Sequence, residues 1–254
     1  MHTLTAMRLF GWRVYGLGIM AMAAVWLTWG DFDPSQVVPE HFAGRTLLAY
    51  AIAGFTLIAG AAIEWRRTTA WAAAALLIYY TFIVIIVMDA PGVIANYREY
   101  GSYSSTAAQV AIAAAALIVY AAYAKIDAPL AARLTRVGQL IFGVCAVLFG
   151  GAHFFYLNLT VPLVPKWLPP SPEFWAYLTG IAHIAAGLAI ITRVQARLAA
   201  ILLTIMYASF TPLVHVPTVA ADPASYFNWT ENSLNLALIG VAWVIADSFA
   251  PRRP

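Results

Sequence analysis

Eight apolar stretches of the sequence are long enough to cross a lipid bilayer. A membrane-spanning helix needs roughly 20 predominantly apolar residues, with a range of about 17–25. Charged residues make up only 10% of the chain, whereas a soluble domain carries about 25%. The sequence therefore predicts an all-α integral membrane protein with eight transmembrane helices, at residues 10–29, 46–63, 71–88, 107–124, 137–156, 174–191, 198–214 and 233–249.

The basic residues between these stretches are distributed unevenly over the two sides of the predicted bundle. Three lie on one side, and the other side holds Arg8, Arg13, Arg66, Arg67, Lys125, Arg133, Arg136, Arg193, Arg197, Arg252 and Arg253. Lys and Arg concentrate in cytoplasmic loops, so we expect both termini in the cytoplasm and the protein in a bacterial inner (plasma) membrane. The basic residues form no DNA-facing patch, so a nucleic-acid partner is not expected.

The sequence also matches itself at an offset of 126 residues. The order of outer segments, helices and tight basic turns recurs, and the matching positions are Val38-Pro39 with Val164-Pro165, Gly54 with Gly180, Arg67 with Arg193 and Pro91 with Pro217. This pattern predicts two pseudo-symmetric four-helix bundles, residues 1–126 and 127–254. Because each copy has an even number of spans, both insert with the same polarity, and a pseudo-twofold axis along the membrane normal relates them.

Polar residues distinguish the second copy from the first. At the same offset, the second copy has His153, His183, His215 and Glu231 in place of Leu27, Leu57, Asp89 and Ser105, and Asn235 in place of Gln109. Ionisable groups within membrane spans are costly and usually face a bundle interior or a cavity. The pattern predicts a ligand site in the outer half of the second copy, formed by His153, His183, His215, Glu231, Asn235, Tyr177 and Trp229.

Each of these residues also has a purely structural interpretation. A histidine in a span can hydrogen-bond a neighbouring helix, and a histidine at the end of a span can simply mark the membrane boundary. Glu231 can be a charge stabilised by a helix N-terminus, and the aromatic residues can form an interfacial belt. The proline-rich segment VPLVPKWLPPSPEFW at residues 161–175 is predicted to fold back over the bundle, because its prolines restrict the backbone and its apolar side chains avoid water.

Three kinds of ligand suit such a site. A quinone or similar lipid-soluble molecule would accept hydrogen bonds from histidine and pack against aromatic rings. A divalent metal is the second, with His153, His183 and His215 as ligands, and haem iron is the third. No H-x-x-x-H or H-E-x-x-H spacing occurs, so a metal would need ligands from separate helices.

The second half resembles DoxX-like membrane proteins over roughly residues 136–248. The resemblance rests on GAHF at 151–154, VPKWLP at 164–169, the W-x-Y-x-x-G pattern at 175–180, AHIAAGL at 182–188, the basic turn at 193–197 and WTENSLNLAL at 229–238. It implies a four-helix membrane unit. Members of the family include a subunit associated with thiosulfate:quinone oxidoreduction and a maturation protein of amine dehydrogenase. Because the chain has the single cysteine Cys145, a direct dithiol role is not expected.

These observations leave three functions open. The first is a quinone- or lipid-interacting component of a membrane redox system, with membrane lipids and a redox protein as partners. The second is a haem- or metal-binding membrane protein. The third is a non-catalytic assembly factor for a partner protein. The two first functions require the polar groups of the second half to converge on a ligand, and the third does not.

Overall fold

The computed structural model describes residues 10–36, 38–41 and 43–250, and all regular structure in these ranges is helical. Each predicted apolar stretch lies in a long helix or a continuous helical stretch. The first half contains α1 (Gly11–Trp29), α2 (Arg45–Ile63), α3 (Thr69–Ile78) with a π-helical continuation (Tyr79–Asp89), α4 (Ala90–Ala95) and α5 (Tyr100–Tyr123). The second half begins with α6 (Ala128–Phe155), α7 (Leu157–Thr160), a 3-10 turn (Val161–Leu163) and α8 (Pro172–Thr192). It ends with α9 (Ala196–Phe210) and its π-helical continuation (Thr211–His215), α10 (Val216–Ala221) and α11 (Tyr226–Ser248).

Six of the described helical stretches are long and apolar enough to cross a membrane. They are Arg45–Ile63, Thr69–Ala95, Tyr100–Tyr123, Ala128–Phe155, Pro172–Thr192 and Ala196–Ala221. The chain therefore has the helices of a membrane protein. Helices α1 and α11 are not among the six, and the first turns of α11 carry the polar run from Thr230 to Ser233. Arg8, Arg252 and Arg253, which count toward the predicted cytoplasmic charge, lie outside the described residues.

The first and last long helices pack against each other in antiparallel orientation. Gly18 of α1 lies against the backbone of Ala237, and Gly240 of α11 lies against the backbone of Tyr15. At the other end of the pair, the Gly11 amide donates to the Asp247 carboxylate at 3.2 Å. Small residues let membrane helices approach closely, so these glycines join the two ends of the chain at one helix interface.

Helices α6 and α8 form a second close pair in the second half. A Cβ on Gly150 would lie 2.6 Å from the Gly180 carbonyl oxygen, and one on Gly143 would lie 3.0 Å from that of Gly187. Helix α5 of the first half packs equally closely on α6 of the second half. A Cβ on Gly138 of α6 would lie 2.9 Å from the Ala114 carbonyl oxygen of α5. Residues of both halves belong to one continuous hydrophobic core.

Helix bounds recur at the offset of 126 residues. The two π-helical segments end at the equivalent residues Asp89 and His215, and the short helices that follow them, Ala90–Ala95 and Val216–Ala221, occupy equivalent positions. The next helices begin at Tyr100 and Tyr226, which are equivalent as well. The division into two four-helix bundles stays a prediction.

The segment between α1 and α2 folds inward rather than standing away from the helices. Gly30 ends α1 in the left-handed conformation with φ 65°, and its amide donates to the Trp26 carbonyl at 2.8 Å. Tyr226 of α11 donates its hydroxyl to the Phe32 carbonyl at 2.6 Å. Arg45 fixes the other end through an ion pair with Asp31, with 2.6 Å between Nη2 and Oδ1. These contacts place Asp33 inside the molecule, 2% exposed.

Candidate functional site

A cavity of about 700 Å³ lies beneath the α6–α8 connection, mainly among the helices of the second half, and it reaches α5 and the α1–α2 connection of the first half. Its wall is mostly apolar and includes Phe149, Trp175, Phe210 and Leu234. The polar residues of the wall come from separate elements, and they are Ser35, Ser104, Ser105, His153, Tyr156, Thr160, Thr179, Ser209, His215 and Glu231. A large apolar pocket with a few convergent polar groups is the usual form of a small-molecule site.

His153 contributes to this wall from the last turn of α6. Its Nδ1 lies 3.1 Å from the Ala176 carbonyl oxygen and 3.2 Å from the Thr179 Oγ1. A carbonyl oxygen only accepts hydrogen bonds, so the neutral ring carries its proton on Nδ1. The Thr179 hydroxyl donates to the Trp175 carbonyl at 2.8 Å, which leaves its oxygen free to accept from His153. The other ring nitrogen, Nε2, is therefore an acceptor in the neutral ring.

His183 lies behind His153 and is 3% exposed. Its Nδ1 donates to the Thr179 carbonyl at 2.8 Å. Its ring centroid is 5.2 Å from that of His153 and 5.4 Å from that of Tyr207. His183 is not part of the cavity wall, so it supports the position of His153 rather than reaching a ligand.

His215 ends the π-helical segment and faces the cavity from α9. Within the described chain its ring has no hydrogen-bond partner, so either nitrogen is available to a ligand. Single-turn π-helical segments often occur at functional sites. Pro212 has no amide proton to bond the Tyr207 carbonyl in the i→i−5 pattern. The Asn235 Nδ2 donates to that carbonyl at 3.1 Å and to the Thr211 Oγ1 at 3.0 Å.

Glu231 faces the cavity from the second turn of α11. Its carboxylate makes no hydrogen bond to the described residues, and it interacts electrostatically with Asp33. Asn235 lies one turn further along α11, is 4% exposed and is occupied by the bonds to α9. Glu231 therefore presents its carboxyl group to the cavity, while Asn235 holds the helix pair together.

Besides His183 and Asn235, the predicted site residues Tyr177 and Trp229 also lie outside the cavity wall. Tyr177 is 43% exposed and packs against Phe154, with 5.8 Å between ring centroids. Trp229 donates its indole proton to the Pro223 carbonyl at 3.0 Å and lies 6.4 Å from the Trp29 ring. Both rings therefore contact other parts of the protein rather than the cavity.

The proline-rich segment after α6 covers the cavity. Thr160, Leu163, Val164, Pro165 and Leu168 all belong to its wall. The Trp175 indole N–H donates a hydrogen bond to the Pro169 carbonyl at 2.8 Å, which connects the end of the segment to α8. The fold-back predicted from the prolines is therefore seen in the structure.

A buried polar cluster in the first half was missed by the sequence analysis. It contains Asp33, Gln36, Tyr79, Asp89 and Gln109, all less than 8% exposed. Ser35 connects it to the cavity, because the Ser35 hydroxyl donates to the Asp33 Oδ1 at 2.6 Å and accepts from the Gln109 Nε2 at 2.8 Å. Burial raises the pKa of Asp33, and the two hydrogen bonds from Ser35 oppose that shift. The repeat held a signal, since both Asp89 and its equivalent His215 are polar.

The three predicted metal ligands are not gathered at one point. His153 and His183 are neighbours, and His215 approaches from another helix. Among the described residues no group of three or more His, Cys, Asp or Glu side chains is arranged to hold a metal ion.

Comparison with known proteins gives one match. A family model described as "Domain of unknown function (DUF8561)" matches residues 142–246. The matched segment covers most of the cavity wall, from α6 to α11. No curated protein and no solved structure matches the chain.

Proposed function

We propose that this protein is a membrane component of a redox system and that its outer cavity binds a quinone or a similar lipid-soluble ring compound. The cavity itself carries the proposal: about 700 Å³ of mostly apolar space with His153, His215 and Glu231 on its wall. A substituted ring with a polar oxygen at each end fits such a mixture of surfaces, because its body is apolar and its oxygens need hydrogen-bond partners. The resemblance of residues 136–248 to DoxX-like proteins agrees with this proposal.

The hydrogen-bonding groups suit both redox forms of such a ligand. The His215 ring can donate a hydrogen bond to a quinone carbonyl, since its nitrogens have no partner in the described chain. The neutral His153 presents an acceptor nitrogen, which suits the hydroxyl group of a quinol. Glu231 donates when protonated and accepts when ionised. We therefore expect the cavity to bind the quinone and the quinol with comparable affinity.

A titration of the purified protein in lipid nanodiscs with decylubiquinone and decylubiquinol tests the proposal. Trp175 lies in the cavity wall, so quenching of tryptophan fluorescence reports binding. The variant His215→Ala should weaken decylubiquinone binding about fivefold to tenfold, which corresponds to about 1–1.4 kcal/mol for one lost hydrogen bond. Tyr177→Phe is the matched control and should bind like the wild type.

Two results would contradict the proposal. One is the absence of saturable quenching by either form in a folded, monodisperse sample. The other is a purified protein that contains haem or a stoichiometric metal. If the variant His153→Ala loses that haem or metal, the result favours the haem- or metal-binding alternative. An affinity that is equal in His215→Ala and the wild type would remove His215 from the site.

We also propose that all eight long helical stretches span the bacterial inner membrane, as two four-helix units with both termini in the cytoplasm. The recurrence of helix bounds at the 126-residue offset supports the two units. The basic turns support the orientation. In a Cys145→Ala background, a membrane-impermeant maleimide should label Asp222→Cys in intact cells and Val194→Cys only after permeabilisation. The reverse pattern would overturn the orientation.

A further inference from the structure

The buried polar cluster of the first half has more polar atoms than partners. Within the described chain, no hydrogen bond reaches the Asp33 Oδ2, either carboxylate oxygen of Asp89, either amide atom of Gln36, or the Tyr79 hydroxyl. The Gln36 amide lies beside the Tyr79 hydroxyl without reaching hydrogen-bond geometry. Buried polar groups are almost always satisfied. This concentration of unsatisfied atoms therefore points to something that the side chains hold between them.

The charges of the cluster are all of one sign. Asp33 interacts electrostatically with Asp89 and with Glu231 of the cavity wall. Arg45 lies in this neighbourhood, but its guanidinium is engaged by Asp31 at 2.6 Å. The other titratable groups that face Asp33 are phenols, namely Tyr79 and Tyr80 from the Thr69–Ala95 stretch and Tyr226 from α11.

Neighbouring buried carboxylates cannot all be ionised without compensation. Burying a charge is costly when no partner neutralises it, and two carboxylates that share a site retain a proton between them. The described residues offer no three-ligand metal arrangement. Protons held on the carboxyl groups remove this repulsion without any further ligand.

Ser35 connects the cluster to the ligand cavity. Its hydroxyl bonds Asp33 at 2.6 Å, is held by the Gln109 amide at 2.8 Å, and forms part of the cavity wall. Glu231 adds a second connection, because it lies in the same wall and interacts with Asp33.

We propose that Asp33, Asp89 and Glu231 form a proton-holding cluster that exchanges protons with the ligand in the cavity through Ser35. The exchange with a ligand rests on the proposed function, and the holding of protons does not. When a reduced redox partner supplies two electrons to a bound quinone, each quinone oxygen gains a proton. Two carboxyl O–H bonds of the cluster then break, and the quinol forms. Bulk water on the outer side restores the protons.

Infrared spectroscopy of the ligand-free protein in nanodiscs at neutral pH tests the cluster. A protonated carboxyl group gives a C=O stretching band that is separate from the carboxylate bands and shifts in heavy water. The wild type should show this band, and Asp33→Asn and Asp89→Asn should each lose part of it. Asp222→Asn, which changes an exposed loop carboxylate, is the matched control and should retain all of it. If Asp33→Asn fails to fold, Asp89→Asn alone decides the result.

The route is tested by the rate of exchange. Ser35→Ala should retain the band in ordinary water but show a several-fold slower shift after transfer to heavy water. A wild-type exchange rate in Ser35→Ala would overturn the route through Ser35. Absence of the band from the wild type would overturn the proton-holding cluster, and so would a band that is unchanged in both aspartate variants. A band that sodium chloride removes and choline chloride does not would also overturn it, because sodium would then be the compensating cation. Because the sample contains no quinone, failure of the cluster and failure of quinone binding are separate results.

Discussion

Thr179 is the residue that connects the two neighbouring histidines, His153 and His183. Its carbonyl accepts from the His183 Nδ1 at 2.8 Å, and its hydroxyl oxygen lies 3.2 Å from the His153 Nδ1. The same hydroxyl donates to the Trp175 carbonyl. The Ala176 carbonyl sets the tautomer of His153, because it can only accept a hydrogen bond. The Thr179 hydroxyl adds a second partner for the same ring nitrogen and so helps to hold the ring in its orientation.

The variant Thr179→Val tests this role. Valine has nearly the shape of threonine but lacks the hydroxyl, so His153 keeps only its bond to the Ala176 carbonyl. We expect the affinity for decylubiquinol to fall about fivefold, because one hydrogen bond is worth about 1 kcal/mol. The fluorescence titration measures it. Thr192→Val is the control, since the Thr192 hydroxyl bonds only carbonyls of its own helix. An equal loss in both variants would contradict the assignment.

At the scale of the elements, the α1–α11 interface decides how the two ends of the chain meet. Gly18 and Gly240 face the partner helix's backbone directly, so no side chain separates the two helices there. The interface also holds the outer end of α1 close to Tyr226 of α11, whose ring stacks on that of Trp29 at 5.5 Å. The segment that carries Asp33 begins at this point, so the interface positions the polar cluster.

The substitution Gly240→Ala is expected to destabilise the protein. Its Cβ would collide with the Tyr15 backbone, and backbone cannot move aside as a flexible side chain can. Overpacking of this kind costs about 1–3 kcal/mol. Thermal unfolding in detergent, followed by circular dichroism, should give a lower midpoint than the wild type. Gly54→Ala is the control, because nothing lies within 4 Å of its added Cβ. A wild-type midpoint for Gly240→Ala would show that the helices are not in close contact there.

For the whole molecule, the helices and the covering segment could be predicted from the sequence because their signals are local. Runs of apolar residues predict helices, and the prolines from Pro162 to Pro172 predict a compact fold-back. The cavity was predicted in part: His153, His215 and Glu231 belong to its wall. Tyr177 and Trp229 are not part of the wall. The sequence places them on the right helices but does not show which face of each helix turns toward the cavity.

The polar cluster could not be predicted, because it depends on how distant segments pack. Asp33 lies in a connection rich in acidic residues, and such a segment is normally exposed to water. Contacts with distant helices draw it inward, notably those of Tyr226 with the Asp31 and Phe32 carbonyls. Those contacts join residues at opposite ends of the chain, which no local pattern of residues reports.

The central claim is that the outer cavity is the ligand site, and a photoreactive azido-quinone tests it most directly. After illumination of the protein in nanodiscs, mass spectrometry of the peptides locates the attachment. We expect label on peptides that contain His153 to Thr179 or His215 to Leu238, and loss of that label when excess decylubiquinone competes. Label confined to lipid-facing positions such as Leu47 and Ile58, and unaffected by the competitor, would contradict it.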